Sequence, residues 1–200
     1  MATINLLPNG TISNSFSHSG IGLTHTFMDE DHSGTIATDS SYIHANTTGK
    51  KCVFNFQDFG EAYSSIDSVQ AVVRSGNNGR GASFEIEVTI LDGGGFGGTF
   101  WSAEGSGSQS GSLNYRTQTF TSRTTSNGSS AWTNLNLNNL RMEIELTAHS
   151  GGTTRLTYCY FIITYTEPVL TDNAIFLVLI FKIRNKICIK KELNVYIIIK

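Results

Sequence analysis

The sequence predicts an all-β protein, an antiparallel, jelly-roll-like β-sandwich of about eight to nine strands. Apolar residues recur with a period of two, clusters of Gly, Asn and Ser separate the apolar segments, and no long helical stripe occurs before residue 168. Only 15% of the residues are charged, against about 25% in typical globular proteins. Hydroxyl and amide side chains therefore dominate the polar surface. We assign residues 1–168 to the sandwich and residues 169–200 to a C-terminal extension.

Two segments show the alternation of half-buried strands most clearly. In "ASFEIEVTILD" the apolar side chains share one face and the glutamates the other, and "RMEIELTAH" repeats the pattern. We expect both apolar faces to lie in the core. The predicted core residues are Phe84, Ile86, Val88, Ile90, Met142, Ile144, Leu146 and Ala148.

Other segments predict further strands. "SSIDSVQAVVRS" contains a phase slip between Ile66 and Val69, which indicates a bulge or an offset start. "TRLTYCYFIITYT" is apolar on both faces, so it should lie centrally or have one face covered by a partner. Short strands are also predicted in "KCVFNFQ", "GTFWSA", "NYRTQTFTS" and "AWTNLNL".

The C-terminal extension differs in composition from the rest of the chain. The segment "NAIFLVLIFKIRNKICIKKELNVYIIIK" contains no Gly, Ser or Thr, and its longest apolar run, Ala174 to Phe181, is too short to span a bilayer, which takes about 20 residues. We interpret it as a translated extension beyond a natural end near Glu167 and Pro168. A membrane-associating basic tail is the alternative.

Charge, the N-terminal segment and cysteine spacing indicate which partners, which targeting signals and which thiol state to expect. Residues 1–168 carry 8 Lys and Arg against 14 Asp and Glu, a net charge of −6, so nucleic acid is not an expected partner. The N-terminus has no basic and apolar segment typical of a signal peptide. Cys52, Cys159 and Cys188 are widely spaced and show no zinc-binding pattern, so we expect free thiols.

The stretch "MDEDHSGTI" resembles the first half of a calcium loop. Asp29, Asp31 and Ser33 occupy alternating positions and Gly34 follows, but the twelfth position is Ser40 where a bidentate Glu is needed. The segment "GIGLTHTF" before it is strand-like. We interpret the stretch as an acidic loop between strands, with a stabilising Ca2+ site at Asp29, Asp31 and Ser33 as the alternative.

Paired carboxylates are the most enzyme-like feature of the sequence. Glu85 with Glu87, and Glu143 with Glu145, each place two carboxylates on one strand face, the arrangement that glycosidases use. Their neighbours are not the aromatic residues that usually line a sugar-cleaving site, so we interpret them as a solvated strand face. The sequence contains no HExxH, GxSxG or GxxxxGK[ST] motif. We therefore predict no catalytic residues, no cofactor and no enzymatic activity.

Exposed aromatic residues define the candidate glycan contacts. Trp101 and Trp132, with Tyr115, are the aromatic residues that could stack on a sugar. Trp101 follows a glycine-rich loop and is the one expected to be exposed, so Trp101 and Tyr115 are the candidate contacts, whereas Trp132 introduces a leucine-rich stretch that resembles core. Core or inter-subunit packing is the alternative for both tryptophans. A carbohydrate-binding module or lectin-like domain is thus an alternative function, and a jelly-roll glycan-cleaving enzyme a more remote one.

The order of segments resembles small β-sandwich structural proteins of tailed phages and their metagenomic relatives. The similarity runs from an "LPNG"-like start through an acidic stretch, "SVQAVVRS" and "AWTNLNLNNLRMEIEL" to "RLTYCYFIITYTEP", and covers Leu6 to Pro168. It implies a non-enzymatic virion component, tail, fibre-associated or capsid-decorating, that acts by assembly and surface recognition. The partners it implies are other virion proteins. Independently, the strand Thr154–Thr166, apolar on both faces, would suit a subunit interface and predicts a homo-oligomer, with a trimer the expected state. A host-surface glycan is a further predicted partner.

Overall fold

A computed structural model describes residues 1–19, 22–28, 41–79, 83–91, 99–108, 115–126 and 130–169, with only the backbone described at 99–108. Within these ranges the chain forms eleven strands, a 3-10 helix at Thr24–Phe27 and one short α-helix, α1 (Asn134–Asn138). The strands are β1 (Ala2–Leu6), β2 (Pro8–Asn14), β3 (Ser17–His18), β4 (Ile43–Ala45), β5 (Lys50–Phe56), β6 (Ser65–Asn77), β7 (Ser83–Leu91), β8 (Thr99–Ser108), β9 (Arg116–Thr119), β10 (Arg141–His149) and β11 (Thr154–Thr166).

The strands form two antiparallel sheets. Sheet A has the order β3–β4–β11–β6–β9, with β1 also paired to β11, and sheet B has the order β2–β5–β10–β7–β8. When β4 to β11 are counted as eight strands, sheet A holds the first, eighth, third and sixth, and sheet B the second, seventh, fourth and fifth. This is the strand order of a jelly roll, and it confirms the predicted β-sandwich.

The core lies between the two sheets and matches the alternation in the sequence. Phe84, Ile86, Val88 and Ile90 of β7 are each at most 4% exposed, and the Met, Ile and Leu predicted to face inward from β10 are fully buried. Ala148 is only half-buried, because the pairing of β10 with β7 shifts register between Leu146 and Ala148.

The phase slip predicted in β6 is a bulge. Thr164 of β11 pairs with Ser68 and Tyr165 pairs with Ile66, so Asp67 is the extra residue. The central position predicted for β11 is also confirmed. β6 pairs along one edge of β11, while β4 and β1 pair in succession along the other. Between those two short strands, the Cys159 amide donates a hydrogen bond to the Met28 carbonyl at 3.2 Å.

Two local predictions were wrong. The segment "AWTNLNL" forms α1 rather than a strand, because Thr133 and Asn136 make a capping box in which each side chain accepts from the other's backbone amide. Leu137 is buried and Leu135 is 72% exposed. The strand-like "GIGLTHTF" contains the 3-10 helix, which ends where the Met28 amide bonds to the His25 carbonyl.

Two cysteines lie in the core as free thiols, as predicted, and the third, Cys188, lies outside the described residues. The chain divides into two compact units, Met1–Glu167 and Pro168–Lys200. Of the second unit the structure describes only Pro168 and Val169, so the assignment of residues 169–200 to an extension stays a prediction. In the part of the chain that is described, no helix is long and apolar enough to cross a membrane.

Candidate binding face

The outer face of sheet A carries a group of tyrosines and arginines that the linear sequence does not show as a group. A bulge at Thr157 shifts the phase of β11, since Leu156 pairs with Ser75 and Tyr158 with Arg74. Because of this shift, Arg155 lies on the outer face together with Tyr158 and Tyr160. We call this surface the tyrosine–arginine face; its residues are Tyr42, Arg74, Tyr115, Arg155, Tyr158 and Tyr160.

Polar contacts fix one side of the tyrosine–arginine face. The Tyr158 hydroxyl lies 2.7 Å from the Thr117 hydroxyl, and Arg74 donates to that same Thr117 oxygen at 3.4 Å. The Arg74 guanidinium also lies 5.4 Å from the centre of the Tyr115 ring. Tyr115, one of the predicted glycan contacts, is therefore at the β9 side of this face and beside a cation.

The centre of the face is aromatic. The rings of Tyr158 and Tyr160 lie 5.8 Å apart, and both side chains are half-buried, so each keeps part of its surface open to solvent. Burial, followed by the neighbouring Tyr158, raises the pKa of Tyr160. Val72 pairs with Tyr160 and is 1% exposed although it lies outside the main core. The aromatic centre thus rests on an apolar base.

A second aromatic and cationic group forms the β4 side of the face. The Arg155 guanidinium lies 4.2 Å from the centre of the Tyr42 ring, a cation–π distance, and the Tyr42 and His44 rings meet edge to face at 5.7 Å. Burial lowers the pKa of His44, and its electrostatic interactions with Arg155 and then with His18 lower it further. His44 is therefore a neutral imidazole near pH 7.

His44 also lines a surface pocket of about 250 Å³ at the end of the sandwich. The pocket lies where β2, β3 and β4 approach the start of β5 and the turn before β11. Its lining residues are Ser15, Ser17, His44, Ala45, Asn46, Lys50 and Thr153.

The outer face of sheet B is acidic and differs from that of sheet A. Lys51 lies 3.0 Å from a carboxylate oxygen of Glu143 and 2.7 Å from one of Glu145. These hydrogen bonds, Glu145 first, raise the pKa of Lys51. Glu87 pairs with Glu145 across the adjacent strands. One lysine thus holds the Glu143 and Glu145 carboxylates in an ion-pair network.

The remaining predicted site residues fall in different places. The backbone of Trp101 lies in β8 opposite Ile90, in sheet B, so Trp101 and Tyr115 belong to different sheets. Trp132 is 4% exposed and donates its ring N–H to the Arg123 carbonyl at 3.0 Å, as expected of a core residue. The calcium candidates Asp29, Asp31 and Ser33 lie outside the described residues. Among the described residues, no three His, Cys, Asp or Glu side chains cluster as metal ligands do.

Sequence reasoning missed five members of the tyrosine–arginine face. The sequence pattern predicts Tyr158 and Tyr160 only as members of a strand that is apolar on both faces, and it predicts no site at Tyr42, Arg74 or Arg155. The signal that could have found two of them is the spacing "YCY", which places both tyrosines on one face of a strand. The others meet only through the pairing of β11 with β4 and β6, whose partners are far apart in the chain.

No protein-family model and no curated protein matches the chain. Similar solved structures include the CBM36-1 domain of a multidomain xylanase from the hindgut metagenome of Trinervitermes trinervoides, with a TM-score of 0.38 and 11% identity over 84% of this chain and 100% of that one. A xylan-binding module CBM15 has a TM-score of 0.38 and 17% identity over 84% and 99%. A truncated AlyQ with CBM32 and alginate lyase domains has a TM-score of 0.41 and 16% identity over 85% of this chain but 36% of that one.

Proposed function

We propose that this protein is a non-catalytic, lectin-like module that binds a polysaccharide on the tyrosine–arginine face. The observation that carries the proposal is the grouping of Tyr158 and Tyr160 on one partly exposed sheet face, with Arg155 on the same strand and Arg74 opposite Tyr158. Sugar rings present apolar C–H faces and a rim of hydroxyls, so a binding surface for them needs flat apolar area and hydrogen-bond donors together. The face offers both.

The dimensions of the face suit a chain of sugars rather than a small molecule. Four strands, β4, β11, β6 and β9, lie side by side in sheet A. At about 4.8 Å between neighbouring strands, the face is about 14 Å wide across them. The aromatic side chains are half-buried and partly held by neighbours, so binding would cost little side-chain entropy.

Alanine substitutions at the centre of the face test the proposal. The purified domain is screened against a glycan array and, for each glycan retained, by isothermal titration calorimetry. We expect Tyr160→Ala to lower affinity at least tenfold, because stacking area is lost, and Tyr158→Phe to change it much less, because the ring is kept. Glu85→Ala, on an exposed position of sheet B, is the control that should leave affinity unchanged.

Two outcomes would count against the proposal. The first is silence on the array together with no binding to insoluble polysaccharides in pull-down assays. The second is glycan binding that survives Tyr160→Ala unchanged. Release of reducing ends from β-glucans, abolished by Glu145→Gln, would show instead that the glutamates of sheet B are catalytic.

Assembly within a virion is the second candidate function, and it is the one that the resemblance to phage structural proteins implies. The observation that favours it is the edge strand β2, where Ile12 is 46% exposed, together with Leu23, which is 66% exposed. Ile12 follows Thr11, and Leu23 lies two residues before His25. The His25 amide donates a hydrogen bond to the Thr11 hydroxyl at 3.0 Å, which joins these two segments. An exposed edge strand with apolar side chains is a natural surface for pairing with another chain.

The assembly candidate predicts that the domain is oligomeric, with a trimer the expected state. Multi-angle light scattering at micromolar concentration should give a multiple of the monomer mass, and the double variant Ile12→Ser with Leu23→Ser should reduce it. A sharp monomer mass would contradict this candidate and leave the glycan-binding proposal unaffected. Location in a virion, the corresponding expectation, is tested by mass spectrometry of purified particles.

A further inference from the structure

We infer that the pocket lined by His44 and Lys50 binds an anionic substituent, a carboxylate or a sulfate group, of a glycan that lies on the tyrosine–arginine face. The inference rests on the proposed function and narrows its ligand class from polysaccharides in general to acidic polysaccharides.

The composition of the pocket is the first argument. Its described lining residues carry hydroxyl, amide, imidazole and ammonium groups, and none of these described residues is acidic. This is unusual in a domain whose residues 1–168 carry 14 acidic against 8 basic side chains. Hydroxyl, amide and ammonium donors around one cavity are what an oxyanion needs, since each of its oxygens accepts several hydrogen bonds.

The two lysines of the domain differ, and the difference is the second argument. Lys51 is engaged by Glu143 and Glu145 on sheet B. Lys50, its neighbour in sequence, lines the pocket and makes no ion pair with any residue that the structure describes. A cation at a cavity wall that no described carboxylate pairs with is available to a bound anion.

The pocket is continuous with the tyrosine–arginine face, which is the third argument. His44 lines the pocket, its ring meets Tyr42, and Tyr42 in turn lies under the Arg155 guanidinium. His44 and Arg155 are also directly paired across β4 and β11. A glycan stacked on the tyrosines therefore passes Arg155 before it reaches the pocket. Arg155 is thus a second cation, besides Lys50, along the bound glycan.

The pocket walls are held in place before any ligand binds. The Ser15 hydroxyl accepts from the Lys51 amide at 2.7 Å and donates to the Lys51 carbonyl at 3.0 Å. At another lining residue, the Thr153 amide donates to the Asn78 side chain at 2.7 Å, and the Asn78 amide donates to the Thr153 carbonyl at 3.2 Å. A preorganised site loses little entropy on binding.

The test compares an acidic polymer with its neutral counterpart. Binding of the purified domain to polygalacturonate and to carboxyl-reduced polygalacturonate is measured by affinity electrophoresis and calorimetry, and dextran sulfate is compared with dextran to separate sulfate from carboxylate recognition. We expect at least tenfold tighter binding to one acidic polymer than to its neutral partner. Lys50→Met should remove that preference, whereas Lys51→Met should preserve it.

The outcomes separate this inference from the proposed function. Equal affinity for acidic and neutral polymers, with binding still lost in Tyr160→Ala, would overturn the anionic subsite and leave the glycan-binding face standing. Loss of the preference in Lys51→Met as fully as in Lys50→Met would overturn it as well, because the effect would then be one of overall charge. If no polymer of either kind binds and array and pull-down are silent, the proposed function fails and this inference fails with it.

Discussion

The Arg155 guanidinium of β11 lies 4.2 Å from the centre of the ring of Tyr42, the residue just before β4, whose strand pairs with β11. Cation–π pairs at partly exposed sites contribute about 0.5–1 kcal/mol. We expect Arg155→Met and Tyr42→Leu each to lower the free energy of unfolding, and the double variant to cost about 0.5–1 kcal/mol less than the two effects added together. Urea unfolding of the four proteins measures this coupling; strict additivity would contradict it.

The strands of the fold could be predicted because burial on one side of a sheet imposes a period of two on the sequence. That pattern identified β7 and β10 correctly, and even the bulge at Asp67 left a visible phase slip. The same pattern misled at α1, where Leu135 and Leu137 alternate as in a strand, but the Thr133 capping box starts a helix.

The binding face could not be predicted in the same way, since it depends on contacts between distant segments. Without the bulge at Thr157, Arg155 and Tyr158 would lie on opposite faces of β11. Nothing in the local sequence identifies Thr157 as a bulge. Tyr42 meets Arg155 only because β4 pairs with β11, more than 100 residues later. Pairing partners of this kind are a property of the whole fold.

The Lys51 network on sheet B should stabilise the fold modestly and independently of pH near neutrality. Its side chains are 25–46% exposed, and exposed ion pairs contribute about 0.2–1 kcal/mol each. Because the folded pKa of Lys51 is raised above its ordinary value of about 10.4, the stabilisation is complete below that pH and is lost as pH rises through the folded value. We expect Lys51→Met to lower the free energy of unfolding by less than about 2 kcal/mol, equally at pH 7 and pH 9.

High salt provides the control for the Lys51 prediction. In 1 M NaCl the difference between wild type and Lys51→Met should shrink, since the Debye length falls to about 3 Å. Lys50→Met, which breaks no ion pair with a described residue, should show no such salt dependence. A Lys51→Met effect that is the same at low and high salt would contradict an electrostatic origin.

The acidic stretch at Asp29 and Asp31 is predicted to be a structural loop rather than a calcium site. Its twelfth position lacks the bidentate Glu that supplies much of the affinity of calcium loops. We expect the melting temperature of the wild type to be the same in millimolar CaCl2 and in EGTA, and the double variant Asp29→Ala with Asp31→Ala to behave identically. A calcium-dependent rise in melting temperature that the double variant abolishes would establish the cation site.

Gly152, in the turn before β11, is predicted to tolerate replacement less well than Gly49 or Gly60, which lie elsewhere in the chain. Its φ of +72° lies in the left-handed region, and a Cβ there would collide with the Asn77 side chain and the Gly79 backbone. Gly49 has a similar φ of +77° but open space around it, and Gly60 has neither restriction. We expect the loss in free energy of unfolding to follow Gly152→Ala > Gly49→Ala > Gly60→Ala, with Gly49→Ala near 1 kcal/mol. Equal losses at Gly152 and Gly49 would show that the collision is relieved at no cost.

The buried thiols of Cys52 and Cys159 predict that the free energy of unfolding falls in mild alkali. Burial raises the pKa of Cys52 and of Cys159 far above the ordinary thiol value of about 8.5. Below pH 8.5 both thiols are protonated in the folded and unfolded states alike. Above it only the unfolded chain ionises, so each thiol lowers the free energy of unfolding by about 1.4 kcal/mol per pH unit.

Other groups also titrate in this range, so the effect of the thiols is isolated by comparison with a variant. We expect the free energy of unfolding in urea, with reductant present, to fall by about 3 kcal/mol more between pH 7.5 and 9.5 in the wild type than in Cys52→Ala with Cys159→Ala. In the native state both thiols should also react slowly with a disulfide reagent, measured in a Cys188→Ser background. Parallel pH profiles for wild type and variant, or rapid labelling of the native protein, would show that these thiols are accessible and that the two sheets open easily around them.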